Sequence, residues 1–485
     1  MAAPRETDPL LPRPRTPADE ELLDEGRTTW ALGRDASFQW LIPVLAVASL
    51  CRGISMAPHY DLYQATFCPK EFYPCGQFEP FFELPGITVY IGSFWNGYSA
   101  FMVSFVSVGW WCQRGDLLGR KPMLFYPILG TAVLDLFLHI VANVRSMSTD
   151  NARDLLSLGY IIQGLLGGLA TYLAGLHAYA FDIAKSPLQR LTLFAFIDGL
   201  SFISFILGAV IGHFVKFPVA YIISFVLGLA NLVLVFKYLP ESLPPRTSEE
   251  IQRPTKPLVK TVFTPFSVFW TSRMALFGVA FYFYSLAWAT DTAAIGYSLD
   301  RPHPPPLVLQ WIGYVSPRVL NLVSLFFFIP LLAQHFRPSS TASPTEHEKT
   351  AIMLSSTLAQ NALLFGTIAC FGILLFAARS STSHILYAFF AAFIPLCTVA
   401  IGPALYALAA GYFVRLKKEG QIAQLFGSMA VWGHLGMVYS YWGYSGGRYS
   451  EVFAWTATAF IISLVCLQSA PPRVRVDDAE VAATN

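Results

Sequence analysis

The chain has 485 residues, of which 54% are hydrophobic and 13% charged, with a formal net charge of +2 at pH 7. A soluble protein of this length covers its surface with about 25% charged residues, so the composition excludes one and indicates an integral membrane protein. The near-neutral charge argues against a nucleic-acid partner.

Residues 1–37 are polar, carry five prolines and include the acidic run Asp19-Glu20-Glu21. With no apolar core near Met1, they read as a disordered cytosolic tail rather than a cleavable signal peptide. Within this tail, Glu6-Thr7-Asp8-Pro9-Leu10-Leu11 resembles an acidic dileucine sorting signal. Glu6, Leu10 and Leu11 would then direct the protein to a vacuole or lysosome, with the plasma membrane as the rival destination.

A membrane-crossing helix needs about 20 mostly apolar residues. Twelve such runs follow in order: 38–57, 87–109, 122–143, 155–180, 191–215, 218–239, 274–297, 307–334, 351–377, 384–411, 421–444 and 449–468. Placing both termini in the cytosol puts 23 Lys and Arg on that side and seven on the other. The positive-inside rule therefore sets a multi-pass topology with cytosolic termini.

The segment 240–273 holds Pro244, Pro245, Pro254 and Pro257 in a polar setting and reads as a cytosolic linker. It divides the chain into a six-helix half over 38–239 and another over 274–468, with a second cytosolic tail at 469–485. The expected class is all-α. Of seven cysteines, Cys68 and Cys75 share a non-cytosolic loop and are disulfide candidates; the others read as apolar packing residues.

Charge concentrates in "QRGDLLGRKP", residues 113–122, between the second and third runs. Its Asp116, Gly119, Arg120 and Lys121 resemble the signature of the major facilitator superfamily, an Asp followed after two residues by Gly-Arg-Lys. Two six-helix halves repeat that family's plan, with a solute site between them near the membrane midplane. "HYDLYQATFC", "YAFDIAKSPLQR" and "LPES" look like the branch of the proton-coupled folate transporter and its fungal relatives. Asp182 and Arg190 are the matching charges of the second stretch.

The resemblance implies that Asp116 and Arg120 lock the cytosolic gate. One position departs from it: the family has Gly four residues before the Asp, where this chain has Cys112. The antiporter features are absent as well, since Tyr160 stands where drug antiporters carry Arg and no Gly-Pro pair occurs in the fifth run.

Ionisable side chains inside the membrane are costly and therefore mark sites. Arg318 and Arg52 are candidate clamps for an anionic group, because a guanidinium binds carboxylates bidentately. Asp135 and His139, four residues apart on one helix face, are candidates for taking up a coupling proton. A structural bridge from Arg52 to Asp135 is the competing reading. Asp198 and Asp291 lie toward helix ends, and His177 and His434 read as packing histidines. Tyr284 and Trp288 of the seventh run are candidate stacking partners for a solute, against ordinary interior packing.

Gly164 with Gly168 and Gly208 with Gly212 have the spacing of close helix packing, and Gly402-Pro403 can break the tenth run. No nucleotide-binding loop, metal cluster or nucleophile–base pair stands out, so neither an enzyme nor a cofactor is expected. The expected function is secondary transport of a small organic solute by alternating access, coupled to protons, with organic anions among the candidates. A drug or secondary-metabolite efflux pump of the same superfamily and a non-transporting receptor are the alternatives. A monomer is expected.

Overall fold

The computed structural model describes residues 36–56, 58–59, 62, 87–144, 148–215, 217–243, 272–286, 318–339, 343–377, 389–390, 393–394, 396, 398–416, 418–444 and 449–469. Glu6, Leu10, Leu11, Cys68, Cys75, Trp288, Asp291 and Pro395 lie outside them.

Each of the twelve apolar runs holds a helix among its described residues. The first half supplies α1 (Phe38–Met56), α2 (Ile87–Leu118), α3 (Lys121–Asn143), α4 (Thr149–Leu165), α5 (Gly168–Ile183), α6 (Pro187–Phe214) and α7 (Phe217–Val233). The second supplies α8 (Ser272–Leu286), α9 (Ile329–His335), α10 (Pro344–Ala377), α11 (Ile401–Arg415), α12 (Ile422–Tyr444) and α13 (Tyr449–Ser469). Eight helical spans among the described residues are long and apolar enough to cross a membrane, with α4 and α5 counted as one span and Arg318–His335, which ends in α9, as another. Their outward faces carry Phe214, Phe236, Leu375 and Trp455 exposed, as lipid contact requires.

Local chemistry sets the helix ends. Ser186 caps α6 by accepting from Gln189 N at 3.2 Å, with Pro187 in the first turn. Ser343 and Glu346 form a reciprocal capping box ahead of α10, at 3.3 and 3.1 Å. Five-residue π segments follow α7, at Leu234–Tyr238, and precede α9, at Ser324–Phe328. Pro330 lies just beyond the second and has no N–H to give to the preceding turn.

The fourth run is not one helix. Gly167 and Gly168 have φ of 103° and 54°, and they break it between α4 and α5. Only glycine adopts that backbone cheaply. Carbonyls near the break find donors on α2: Ser107 Oγ donates to Gly164 O at 2.7 Å and Trp111 Nε1 to Leu165 O at 2.9 Å. Gly168 thus serves the break and close packing together, since a Cβ there would collide with Ser104 Oγ of α2, while Gly164 contributes its carbonyl.

Gly208 serves the close helix packing expected of it, opposite Gly53 of α1. A Cβ on Gly208 would meet the Leu50 carbonyl, and one on Gly53 would meet the Phe205 carbonyl. Backbone thus touches backbone where α1 crosses α6.

The two halves meet along a seam. On one side stand α2, α5 and α6; on the other, α12 against α2 and α5, and α9, α10 and α11 against α6.

Candidate functional site: a latched turn and a polar seam

The 113–122 stretch ends α2, turns tightly at Gly119 and Arg120, and begins α3. Its pivot is Gly119, at φ 112°, where a Cβ would collide with the Glu241 carboxylate. Glu241 fills that space to accept backbone N–H bonds from Arg120 at 2.7 Å, Lys121 at 3.2 Å, Ser242 at 3.0 Å and Leu243 at 3.3 Å. Lys121 Nζ donates to the Phe236 carbonyl at 3.2 Å. The "LPES" string after the sixth run therefore supplies the acceptor for the turn's own backbone.

Arg120 is 1% exposed and meets acceptors on several sides. Its Nη1 donates to Asp116 Oδ1 at 2.7 Å and to Gly115 O at 3.0 Å, and its Nε donates to Asp182 Oδ2 at 2.8 Å. Ser242 Oγ also donates to Asp182, at 3.0 Å. Burial works against the guanidinium's charge, yet Asp116 and Asp182 outweigh it and raise its pKa above the ordinary value. Burial likewise raises Glu241, against the pull of its four N–H donors.

Asp116 reaches across the seam. Its Oδ1 accepts from Ala423 N at 3.0 Å and its Oδ2 from Gln424 N at 3.3 Å, both in the first turn of α12. A carboxylate there satisfies otherwise unpaired N–H groups and sits at the positive end of the helix dipole. One aspartate of the first half thus caps a helix of the second. Arg190 adds a second tie, with Nη1 3.4 Å from Glu348 on α10 and its guanidinium carbon 4.3 Å from the Phe181 ring centroid.

Cys112 occupies the position where a glycine was expected, and the close contact is kept with the roles exchanged. Cys112 is fully buried, and a Cβ on Gly427 of α12 would collide with its Sγ. The bulk sits on α2 and the gap on α12. Cys51, Cys370 and Cys466 are also buried.

Deeper in the first half, Asp135 is 1% exposed on α3. Ser55 Oγ donates to its Oδ1 at 2.6 Å, and Ser224 Oγ lies 2.5 Å from its Oδ2 and 3.0 Å from the Cys51 carbonyl. His139 does not join it: its Nδ1 lies 2.8 Å from the Pro218 carbonyl at the start of α7. Shared helix face did not bring the two together, because each found a nearer partner on a neighbouring helix.

Asp135 and Arg52 line one cleft of about 30 Å³, with Thr131, Gln163, Tyr172 and Asn231. That is room for about two waters at ~15 Å³ each. Arg52 lies within electrostatic reach of Asp135, of Tyr172 and of His434 on α12. Among the described residues no ion pair joins Arg52 to Asp135, so the direct bridge is not formed. Tyr172 Oη and Asn231 Oδ1 are buried without a hydrogen-bond partner.

At the seam itself, His177 is 1% exposed and stacks on Tyr406 of α11, with centroids 4.0 Å apart. Its Nδ1 donates to Leu173 O at 2.8 Å, and its Nε2 stands 3.9 Å from Asp198 Oδ1. Opposite, a Cβ on Gly402 would lie 3.4 Å from Asp198 Oδ2 and 3.7 Å from Tyr284 Oη. Histidine, aspartate and two tyrosines therefore gather where the halves meet, a grouping that no spacing in the sequence reveals. Tyr284 also packs on Phe281, at 5.9 Å between centroids. Arg318 lies partly buried, its guanidinium carbon 6.0 Å from the Phe202 ring centroid on α6.

No family model matches the chain. It is 27% identical over 255 residues to the MFS-type transporter avaJ of Aspergillus versicolor, covering 49% of this chain and 47% of that protein. It is 30% identical over 146 residues to the lysosomal proton-coupled steroid conjugate and bile acid symporter SLC46A3 of Gallus gallus, covering 29% of this chain and 30% of that protein. The chain thus matches about half the length of one curated relative and under a third of the other.

Solved structures match over far more of the chain. A bacterial homologue of the iron transporter ferroportin in the outward-facing state superposes with a TM-score of 0.66 at 11% identity, covering 89% of this chain and 98% of that one. The human organic anion transporter MFSD10 gives 0.57 at 15% identity, covering 89% and 99%. The transporter FucP in its outward conformation gives 0.55 at 13%, covering 89% and 99%. By sequence this chain resembles the transporters of the major facilitator superfamily, and it carries their fold.

Proposed function

We propose that the protein is a secondary active transporter that carries a small organic solute across a membrane by alternating access, with a proton as the coupling ion. The observation that carries this reading is Asp116, which caps α12 of the other half while held by Arg120. Such a tie, made of hydrogen bonds between two bodies, holds one arrangement and releases when the bodies rock apart. A merely structural seam has no need to concentrate buried charge at one end.

In this reading the Asp116 end is the cytosolic gate and both termini are cytosolic. The halves span 38–239 and 274–468, joined by the linker 240–273. Arg52, Arg318, Tyr284 and Trp288 contact the solute, and Asp135 takes the proton. His139 is less well placed for that role, being held at the start of α7. The names of the chicken symporter and the human anion transporter favour acidic organic solutes, and the former favours a lysosomal or vacuolar membrane.

The test is uptake into proteoliposomes of estrone sulfate, taurocholate and a cationic amphiphile, with and without an inward proton gradient. Uptake of the acidic solutes, driven by the gradient and lost with Arg120→Ala, is the expected result. Gradient-driven movement of the cation alone would favour the efflux alternative. Binding of a solute with no flux would replace transport by a receptor role.

A further inference from the structure

Resting on that reading, we infer that Arg52 and Asp135 form a counter-ion switch in which an acidic group of the solute and a proton are exchanged across one cleft. The two side chains line the same 30 Å³ space without touching. Each is placed in a way that suits the exchange.

Asp135 is held rigidly by two serine hydroxyls, Ser55 from α1 and Ser224 from α7. It makes no ion pair with a described residue. Arg52 makes neither a hydrogen bond nor an ion pair to any described residue, so the donors of its guanidinium remain available for a ligand. Tyr172 Oη and Asn231 Oδ1, both buried and unpartnered, complete a polar lining that two waters would satisfy. Arg52 also acts electrostatically on His434 of α12, across the seam.

The charge balance follows directly. Before solute binds, the cleft holds one guanidinium and one carboxylate, and its net charge is zero. A solute carboxylate or sulfate that reaches Arg52 from the seam would leave two anions sharing one cation in a place poor in water. Uptake of one proton by Asp135 restores neutrality: the proton leaves bulk water and binds a carboxylate oxygen, and no bond breaks. The loaded cleft then holds the guanidinium, the bound anion and a neutral carboxylic acid. By reciprocity, the anion favours protonation by the same factor as protonation favours the anion. The predicted stoichiometry is one proton per monoanion, and the movement is electroneutral.

The other titratable groups around Asp135 are few. Cys51 and Arg52 face it from α1, Tyr172 lines the cleft from α5, His139 lies one turn along α3, and His59, packed on Tyr221 of α7, bonds to the carbonyl of the same Ser55 that donates to Asp135. Of these, Arg52 is the only permanent charge, which is why it sets the state of Asp135.

The experiment follows the carboxylic-acid C=O stretch by infrared difference spectroscopy against pH, using the full chain in liposomes. A band that disappears in Asp135→Asn identifies the group. Replacing Arg52 by Gln should move the midpoint of that band upward by roughly one pH unit, because the counter-ion is gone. Estrone sulfate should move it upward in the parent and leave it unmoved in Arg52→Gln. A midpoint indifferent to both Arg52→Gln and the anion overturns the switch, as does a titrating band that survives Asp135→Asn. Should Asp135→Asn fail to fold, the Arg52→Gln shift and its loss of anion response decide the matter. Solute flux in the same vesicles is read separately. Flux with an unmoved band overturns the switch alone, whereas loss of flux in the parent overturns the transport reading.

Discussion

The 116–121 turn and the Arg52 cleft each place an arginine near an aspartate, and they treat the two residues in opposite ways. At the turn, Arg120 meets Asp116, Asp182 and a backbone carbonyl within 3.0 Å. Asp116 in turn is claimed by two N–H groups of α12. In the cleft, Arg52 and Asp135 stand apart, and the aspartate is held by neutral hydroxyls. Saturated charge fixes one arrangement, because removing any partner leaves a buried ion uncompensated. Unsaturated charge leaves donors for something that comes and goes. In the proposed transport cycle the same two residue types would serve as a lock at the α2–α12 seam and as a receptor in the cleft.

That contrast can be broken at the lock with the largest effect. Arg120→Ala leaves Asp116 and Asp182 without their cation, and should cost about 3–5 kcal/mol in the melting equilibrium of the purified protein. Arg52→Ala, which removes no hydrogen bond to a described residue, should cost much less. Equal costs would erase the distinction. Gly119→Ala should follow, at about 1–3 kcal/mol, from a left-handed backbone together with the collision against Glu241. In a Glu241→Ala background, which has already lost the four N–H bonds to that carboxylate, Gly119→Ala should add only the backbone strain.

The seam offers a reciprocal test of moderate size. Gly427→Ala drives a methyl into Cys112 Sγ, so it should destabilise the closed arrangement by about 1–3 kcal/mol. Adding Cys112→Gly should recover most of that loss, since it restores the room on the other helix. A double variant as unstable as Gly427→Ala alone would show that the two positions do not share one contact.

The smallest effect concerns pH. Burial raises the Glu241 carboxyl above its ordinary value, so its stabilising contribution is complete below that value and is lost as pH rises through the raised one. Glu241→Gln should therefore flatten the melting temperature against pH, from about pH 4.5 upward. A parent whose melting temperature already ignores pH in that window would contradict the assignment.

Much of this was legible in the chain, for physical reasons. Lipid demands about 20 apolar residues per crossing, so the runs announce themselves. The turn's Asp116, Gly119, Arg120 and Lys121 lie within six residues, so their chemistry reads directly. Contacts made across hundreds of residues do not. Gly427 answers Cys112 from 315 positions away, and a sequence shows only that the expected glycine is missing. The α4–α5 break was hidden because Gly167 and Gly168 sit in an unbroken apolar run. Its freed carbonyls are satisfied by Ser107 and Trp111, which nothing local connects to it. His139 shares a helix face with Asp135, but the Pro218 carbonyl at the mouth of α7 captured it. His177 reads as a packing residue in sequence, and its approach to Asp198 depends on how α5 lies against α6.

The central claim is that Asp116 ties the two halves together at the gate. The most direct measurement is the rate at which Cys112 reacts with a membrane-permeant maleimide in liposomes, with the other cysteines replaced. Cys112 is fully buried in the latched arrangement. Asp116→Ala removes both bonds to α12 and should raise the rate by tenfold or more, corresponding to about 1.4 kcal/mol lost from the closed state. An unchanged rate in a variant that still folds would mean that Asp116 does not hold the gate shut.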